Sequence, residues 1–196
     1  MASDPVEFLM PDPDGWLPAA QPMPSDNHDA RPADAGVSLL VIHGISLPPG
    51  EFGGDAIERL FCNTLDCSEH PWFERLRNLR VSAHLLIRRD GQLVQFVSLL
   101  DRAWHAGRSS FEGREECNDF GIGIELEGTD DTHYTDAQYE RLIPLARGIM
   151  RCFPAITPDR VVGHADIAPE RKTDPGAAFD WQRLRQGIAR TAEERG

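Results

Sequence analysis

Three residues in one short stretch carry the first chemistry visible in this chain: His164, Lys172 and Asp174, within residues 161–176, which read VVGHADIAPERKTDPG. An imidazole and a carboxylate brought face to face are two ligands of a zinc site, and an ammonium two residues before the carboxylate puts a cation beside them. Val161 and Val162 read as the end of a buried strand, so His164 stands where that strand runs out into a loop. Ile167-Ala168-Pro169 and Pro175-Gly176 forbid a continuous helix from His164 to Asp174, so a short irregular loop that doubles back is expected to carry Asp174 to His164. Lys172 is the single lysine in the sequence, against 19 arginines. A compact ammonium kept beside a His/Asp pair points to a site for which a broad guanidinium fork is unsuited.

His43 has the same context. Residues 37–43 (VSLLVIH) form an almost uninterrupted apolar run, the pattern of a strand buried on both faces, and Gly44 with Leu47-Pro48-Pro49-Gly50 enforces a loop after it. In open α/β sheets ligands collect beyond the carboxyl ends of strands, so neighbouring strands would bring His43 and His164 to one crevice. With Asp174 they make a two-histidine, one-carboxylate set that leaves the fourth position of zinc open. Zinc polarises a carbonyl and acidifies water toward a pKa of ~7, so amide hydrolysis then needs a base and an oxyanion partner. Glu125 can be the base and Lys172 the partner.

Glu125 belongs to residues 121–128 (GIGIELEG), a strand in which Ile122, Ile124 and Leu126 take one face and Gly121, Gly123, Glu125 and Glu127 the other. Glycines beside acids point to something approaching that face closely. The pair Glu125/Glu127 also leaves open a metal-free glycosidase. His84 and His105 sit on expected strands without an acidic neighbour, and read as partners of the ligands or as core groups. No G-x-S-x-G elbow occurs, which argues against serine chemistry.

The elements that must position these groups follow from pattern. Residues 1–35, rich in proline, aspartate and alanine, read as an extended surface arm pinned by Trp16. Residues 36–190 form the catalytic domain and 191–196 a tail. Short helices are expected over 55–62, capped by Asp55, and over 71–79. Strands 81–87 and 93–97 flank Asp90-Gly91, a hairpin signal, and 102–107 should continue that antiparallel edge. Thr135 to Gln138 is a capping box opening a helix to about Cys152, with a kink at Pro144, and Asp180 caps a last helix with Trp181, Leu184 and Ile188 inward. The fold class is therefore α/β: a single domain with a central mixed sheet and helices on both faces.

A net charge of −12 and the lack of a basic patch argue against nucleic acid as a partner. No run approaches eighteen apolar residues and no secretory h-region is visible, so no membrane partner and a cytoplasmic location are expected. In that compartment Cys62, Cys67, Cys117 and Cys152 should be free thiols.

The motifs HGISLPPGEFGG, RVSAHLLIRRDG, RAWHAG, CNDFGIGIELEG and GHADIAPERKTDPG resemble the zinc amidase and peptidoglycan recognition protein superfamily, from about residue 16 to about 188. That resemblance implies a zinc cofactor on His43, His164 and Asp174, with Glu125 and Lys172 catalytic. It implies cleavage of the amide joining the lactyl group of anhydro-N-acetylmuramic acid to L-alanine in recycled anhydromuropeptide. A monomer is expected, although nothing in the sequence sets the oligomeric state. The resemblance marks Arg80 and Trp104 as substrate contacts, Arg80 for a stem-peptide carboxylate. Two positions depart from the pattern: Gly44, where asparagine often follows the histidine, and Glu116, where arginine precedes Cys117-Asn118. A binding module without catalysis is the other reading the superfamily offers.

Overall fold

The structure is a computed structural model that describes residues 9–193. The first eight residues of the expected arm and the last three of the expected tail lie outside the described residues. In chain order the strands are β1 (Gln21–Pro22), β2 (His28–Asp29), β3 (Leu39–Ile45), β4 (Leu85–Ile87), β5 (Leu93–Gln95), β6 (Arg102–Ala103), β7 (Ser110–Phe111), β8 (Arg114–Glu115), β9 (Gly121–Glu127) and β10 (Val161–Gly163). The α-helices are α1 (Ala56–Phe61), α2 (Asp136–Cys152), α3 (His164–Ile167) and α4 (Trp181–Glu193).

Six strands form one mixed sheet in the order β1-β5-β4-β9-β3-β10. Its centre is parallel, with β4, β9, β3 and β10 running together. The antiparallel step is the β4–β5 hairpin, which turns at Asp90-Gly91 with Gly91 at φ 84. A side chain alternates faces along a strand, and the sheet uses that twice. Leu40, Ile42, Leu85, Ile87, Ile122, Ile124 and Leu126 pack with Leu142, Leu145 and Ile149 of α2 and Leu184 and Ile188 of α4. Leu86, Val94 and Phe96, of opposite parity, pack with Ile57, Leu60 and Phe61 of α1. Helices thus cover both faces, as the apolar patterning requires.

The start of α2 carries the expected capping box. Thr135 Oγ1 accepts from Gln138 N at 3.2 Å and Gln138 Oε1 accepts from Thr135 N at 3.0 Å. The helix is continuous through Pro144 to Cys152. Asp180 caps α4 by accepting Arg183 N at 2.8 Å.

Several expectations are corrected. The helix expected over 71–79 is a 3-10 helix over Pro71–Leu76 only, capped by His70, which accepts from Trp72 N, in keeping with the short runs of that helix type. Asp55 precedes α1 but makes no side-chain cap; its carboxylate pairs with Arg59 instead, at 3.1 Å. Arg102–Ala103 does not extend the hairpin edge, because the arm reaches it first: β2 pairs antiparallel with β6. The arm also supplies β1, parallel to β5. Its pins are Leu9 and Leu17, both buried in the core, whereas Trp16 is half-buried. His43 lies inside β3, since Gly44 and Ile45 continue its pairing with Leu126 and Glu127. His164 opens the one-turn helix α3, so residues 161–176 are not irregular throughout. All four cysteines are free thiols.

Candidate metal centre and active site

Register brings the groups together. His43 pairs with Glu125 across β3 and β9, so the two side chains leave the same face of adjacent parallel strands. On the other side of β3, Gly163 pairs with Ile42, and one residue further His164 comes level with His43. The α3 turn is fixed by Asp166, whose Oδ2 accepts Gly163 N at 2.7 Å. After α3 the chain returns, and Ala165 N donates to Asp174 O at 3.0 Å, which sets the Asp174 side chain beside the two rings.

The donor atoms form a small triangle. His43 Nδ1 and His164 Nδ1 are 2.9 Å apart, and Asp174 Oδ2 is 3.3 Å from the first and 3.2 Å from the second. Metal bonds of ~2.0–2.2 Å at tetrahedral angles put donors roughly 3.3–3.5 Å apart, so the triangle is of the right size for one small divalent ion. The far nitrogens are also engaged: His164 Nε2 faces Ala106 O at 3.1 Å and His43 Nε2 faces His105 Nδ1 at 2.9 Å. A carbonyl can only accept, so the His164 proton sits on Nε2 and its Nδ1 presents a lone pair. When His43 likewise carries its proton on Nε2 and donates it to His105 Nδ1, three acceptors converge with no proton between them, an arrangement that a cation satisfies. Among the described residues this is the one cluster of three or more His, Cys, Asp or Glu groups able to hold an ion.

Burial sets the charge states. Desolvation pushes His43 down to about 4, against the pull of Asp174, so the ring is neutral as a ligand must be. Burial opposes ionisation of Asp174, but the two imidazoles beside it outweigh that and hold the carboxyl well below the usual range. Glu125 is the reverse: burial, then the charge of Asp174, hold its carboxyl well above the ordinary value, with Lys172 opposing. Glu125 Oε2 is buried with no hydrogen-bond partner. A carboxyl kept in that state beside a donor cluster is suited to taking and giving a proton. Lys172 is partly buried and close enough that its charge acts on both His43 and Glu125.

Glu127, on the same strand face, is committed elsewhere. Its two oxygens accept the backbone N–H groups of Gly53 and Arg89, so it fastens the loop after β3 to the β4–β5 turn. That leaves the glycosidase reading without its second free carboxyl. His105 is not one of the three donor groups but faces one of them, and it explains one glycine of β9: a Cβ on Gly123 would lie 2.5 Å from His105 Cγ, while one on Gly121 would lie 2.6 Å from the Cys117 carbonyl oxygen. His84 stays behind it, accepting Gly123 N at 3.0 Å. Arg80 is exposed and makes no ion pair among the described residues. Trp104 lies on the segment paired with Ser82, its indole Nε1 buried without a partner. Tyr134 carried no signal as a site residue, yet its hydroxyl donates to Pro175 O at 3.0 Å and fills the space a Cβ on Gly44 would need. Glu116, in the left-handed region at φ 59, pairs with Arg102 at 3.7 Å. A cavity of about 460 Å³, lined by Arg108, Glu116, Ile167 and Arg171 among others, adjoins the cluster rather than containing it; Arg171 Nη2 and His164 Nε2 share the Ala106 carbonyl.

A His/His/Asp donor set able to hold a metal ion, at the carboxyl ends of parallel strands and with a buried carboxyl beside it, is an arrangement suited to a hydrolase. The family profile described as N-acetylmuramoyl-L-alanine amidase matches residues 33–177, and the chain belongs to that family. It is 58% identical over 171 residues to the 1,6-anhydro-N-acetylmuramyl-L-alanine amidase AmpD of Escherichia coli K12, covering 87% of this chain and 93% of that one. Its fold is similar to a crystal structure of a selenomethionine AmpD derivative, with a TM-score of 0.88 at 56% identity over 91% of this chain and 99% of the other. It also resembles the Escherichia coli amidase AmiD in complex with the substrate anhydro-N-acetylmuramic acid-L-Ala-D-γ-Glu-L-Lys, with a TM-score of 0.57 at 33% identity, over 80% of this chain and 60% of that one.

Proposed function

We propose that the protein hydrolyses the amide between anhydro-N-acetylmuramic acid and the L-alanine of the stem peptide, using zinc held by His43, His164 and Asp174. The observation that carries this reading is the convergence of those three donor atoms, all within 4.8 Å of one another. The chemistry of the relatives supplies the substrate class.

Zinc, when bound, supplies Lewis acidity that polarises the scissile carbonyl and makes water acidic near pH ~7. Glu125 takes a proton from the attacking water as the C–O bond forms, and returns it to the alanine nitrogen as the C–N bond breaks. The products are the lactyl carboxylic acid and a stem peptide with a free amino terminus, so atoms and protons balance. Lys172 holds the negative charge that gathers on the carbonyl oxygen. Trp104, half-buried, contacts the substrate through its exposed part, and the exposed guanidinium of Arg80 meets a stem carboxylate. The mixed charges of the adjoining cavity suit the polar groups of the stem beyond alanine.

We place this activity in the recycling of wall fragments, carried out by a monomer in the cytosol. Four free thiols suit a reducing compartment, and no helix among the described residues is long and apolar enough to cross a membrane. Incubation with anhydromuropeptide, with and without a chelator, tests the function by mass spectrometry. Free stem peptide is expected, lost on chelation and restored by added zinc. Peptide release indifferent to chelation overturns the zinc mechanism; sugar cleavage, or binding without product, overturns the amidase.

A further inference from the structure

His105 and Ala106 are adjacent in sequence, and each supplies the hydrogen-bond partner of a different histidine in the donor set. His105 Nδ1 faces His43 Nε2 at 2.9 Å, and Ala106 O faces His164 Nε2 at 3.1 Å. The two ligands come from β3 and from the start of α3, 121 residues apart, yet one dipeptide orients both rings.

The dipeptide is itself held from behind. Asn118 Oδ1 accepts the backbone N–H of His105 at 3.1 Å and that of Ala106 at 2.8 Å. Asn118 is buried, and the carbonyls of Asn118 and Asp119 each accept from Arg31 Nη1 at 3.0 Å. Arg31 precedes residues 33–177, the stretch matched by the family profile, so the support of the site begins in the arm. The His105 ring rests against Gly123, where no Cβ fits, with the His84 ring 5.6 Å away centre to centre. His105 Nε2 is buried and unpartnered, so its ring is kept there for the nitrogen that faces His43.

We infer that His105 and Ala106, clamped by Asn118, form a positioning unit that fixes both histidine ligands in the tautomer presenting Nδ1 to the ion. The inference rests on the zinc site proposed above. Groups that orient metal-bound histidines typically carry ~10–100-fold of metal affinity. Neither His105 nor Asn118 supplies an atom to the donor triangle, so both act through the residues that do.

The test is zinc affinity of the full chain, measured by competition with a chromophoric chelator, with circular dichroism as the check on folding. His105→Leu and Asn118→Leu are expected to weaken zinc binding ~10–100-fold. His105→Asn, which keeps an acceptor near the Nδ1 position, and Asn118→Asp, which keeps the accepting oxygen, should recover most of that loss. Zinc binding unchanged in the folded leucine variants overturns the inference, and so does an equal loss in the leucine and the conservative variants. If one leucine variant does not fold, the other pair reads the same difference. Failure of the parent chain to bind zinc would instead refute the proposed function.

Discussion

The two faces of β9 set stability against chemistry. Ile122, Ile124 and Leu126 point into the core formed with α2 and α4 and are fully buried. Gly121, Gly123, Glu125 and Glu127 share the opposite face and are equally withdrawn from solvent. There the neighbours are His105, His43 and two backbone N–H groups rather than leucines. The apolar face gains free energy from every methylene removed from water. The polar face holds a carboxyl whose burial disfavours its charge and an imidazole nitrogen without a partner. One strand therefore stabilises the fold with its even-numbered residues and stores reactivity with its odd-numbered ones.

Substitutions on the two faces should separate these roles. Glu125→Gln is expected to lower turnover ~10²–10⁴-fold, the usual contribution of a general base, while zinc binding and thermal stability stay at or above the parent's. A folded Glu125→Gln protein with near-parental turnover would remove Glu125 from the reaction. Lys172→Ala, at the rim of the same site, should cost ~10²–10³ in kcat with zinc retained, the loss that follows removal of an oxyanion partner. An effect confined to KM would make Lys172 a binding residue instead.

Ile124→Ala is the mirror experiment. It should cost about 2–5 kcal/mol in chemical denaturation, while the folded fraction keeps its activity. Loss of activity without loss of stability would show that the two faces are not separable.

The smallest effect is in pH. Burial pushes His84 down to about 3 and His43 to about 4, from an ordinary 6.5. Between 6.5 and those values the unfolded chain binds protons that the folded chain does not, so stability is full above that window and falls as pH drops through it. Glu125, with its raised value, acts in the opposite sense. The metal-free Glu125→Gln protein removes that opposing carboxyl, and its melting temperature should decline from pH 6.5 toward 4. A flat profile would mean that these imidazoles are not held neutral by burial.

Much of the site was legible because the signals were local. A buried apolar run ending near His43, a second near His164 and prolines that stop a helix before Asp174 are properties of neighbouring residues, and the structure retains each of them. The hairpin at Asp90-Gly91 and the capping box at Thr135 were legible for the same reason. The path of the arm was not, because its pairing with β5 and β6 joins segments far apart in sequence. Nor could the chain show which glycine neighbour fills which space: the ring on Gly123 belongs to His105, and the hydroxyl at Gly44 to Tyr134.

Residue types and spacing by themselves determined the ligand candidates, the alternation of β9 and the mixed α/β class, since periodicity and backbone restriction act within a few residues. Tertiary structure alone decided that Glu127 is fastened by two backbone N–H groups while Glu125 is left unpaired. It also decided that His105 turns its nitrogen to His43. Hydrogen bonds between distant segments depend on register and on the direction of each side chain, and no local pattern encodes either.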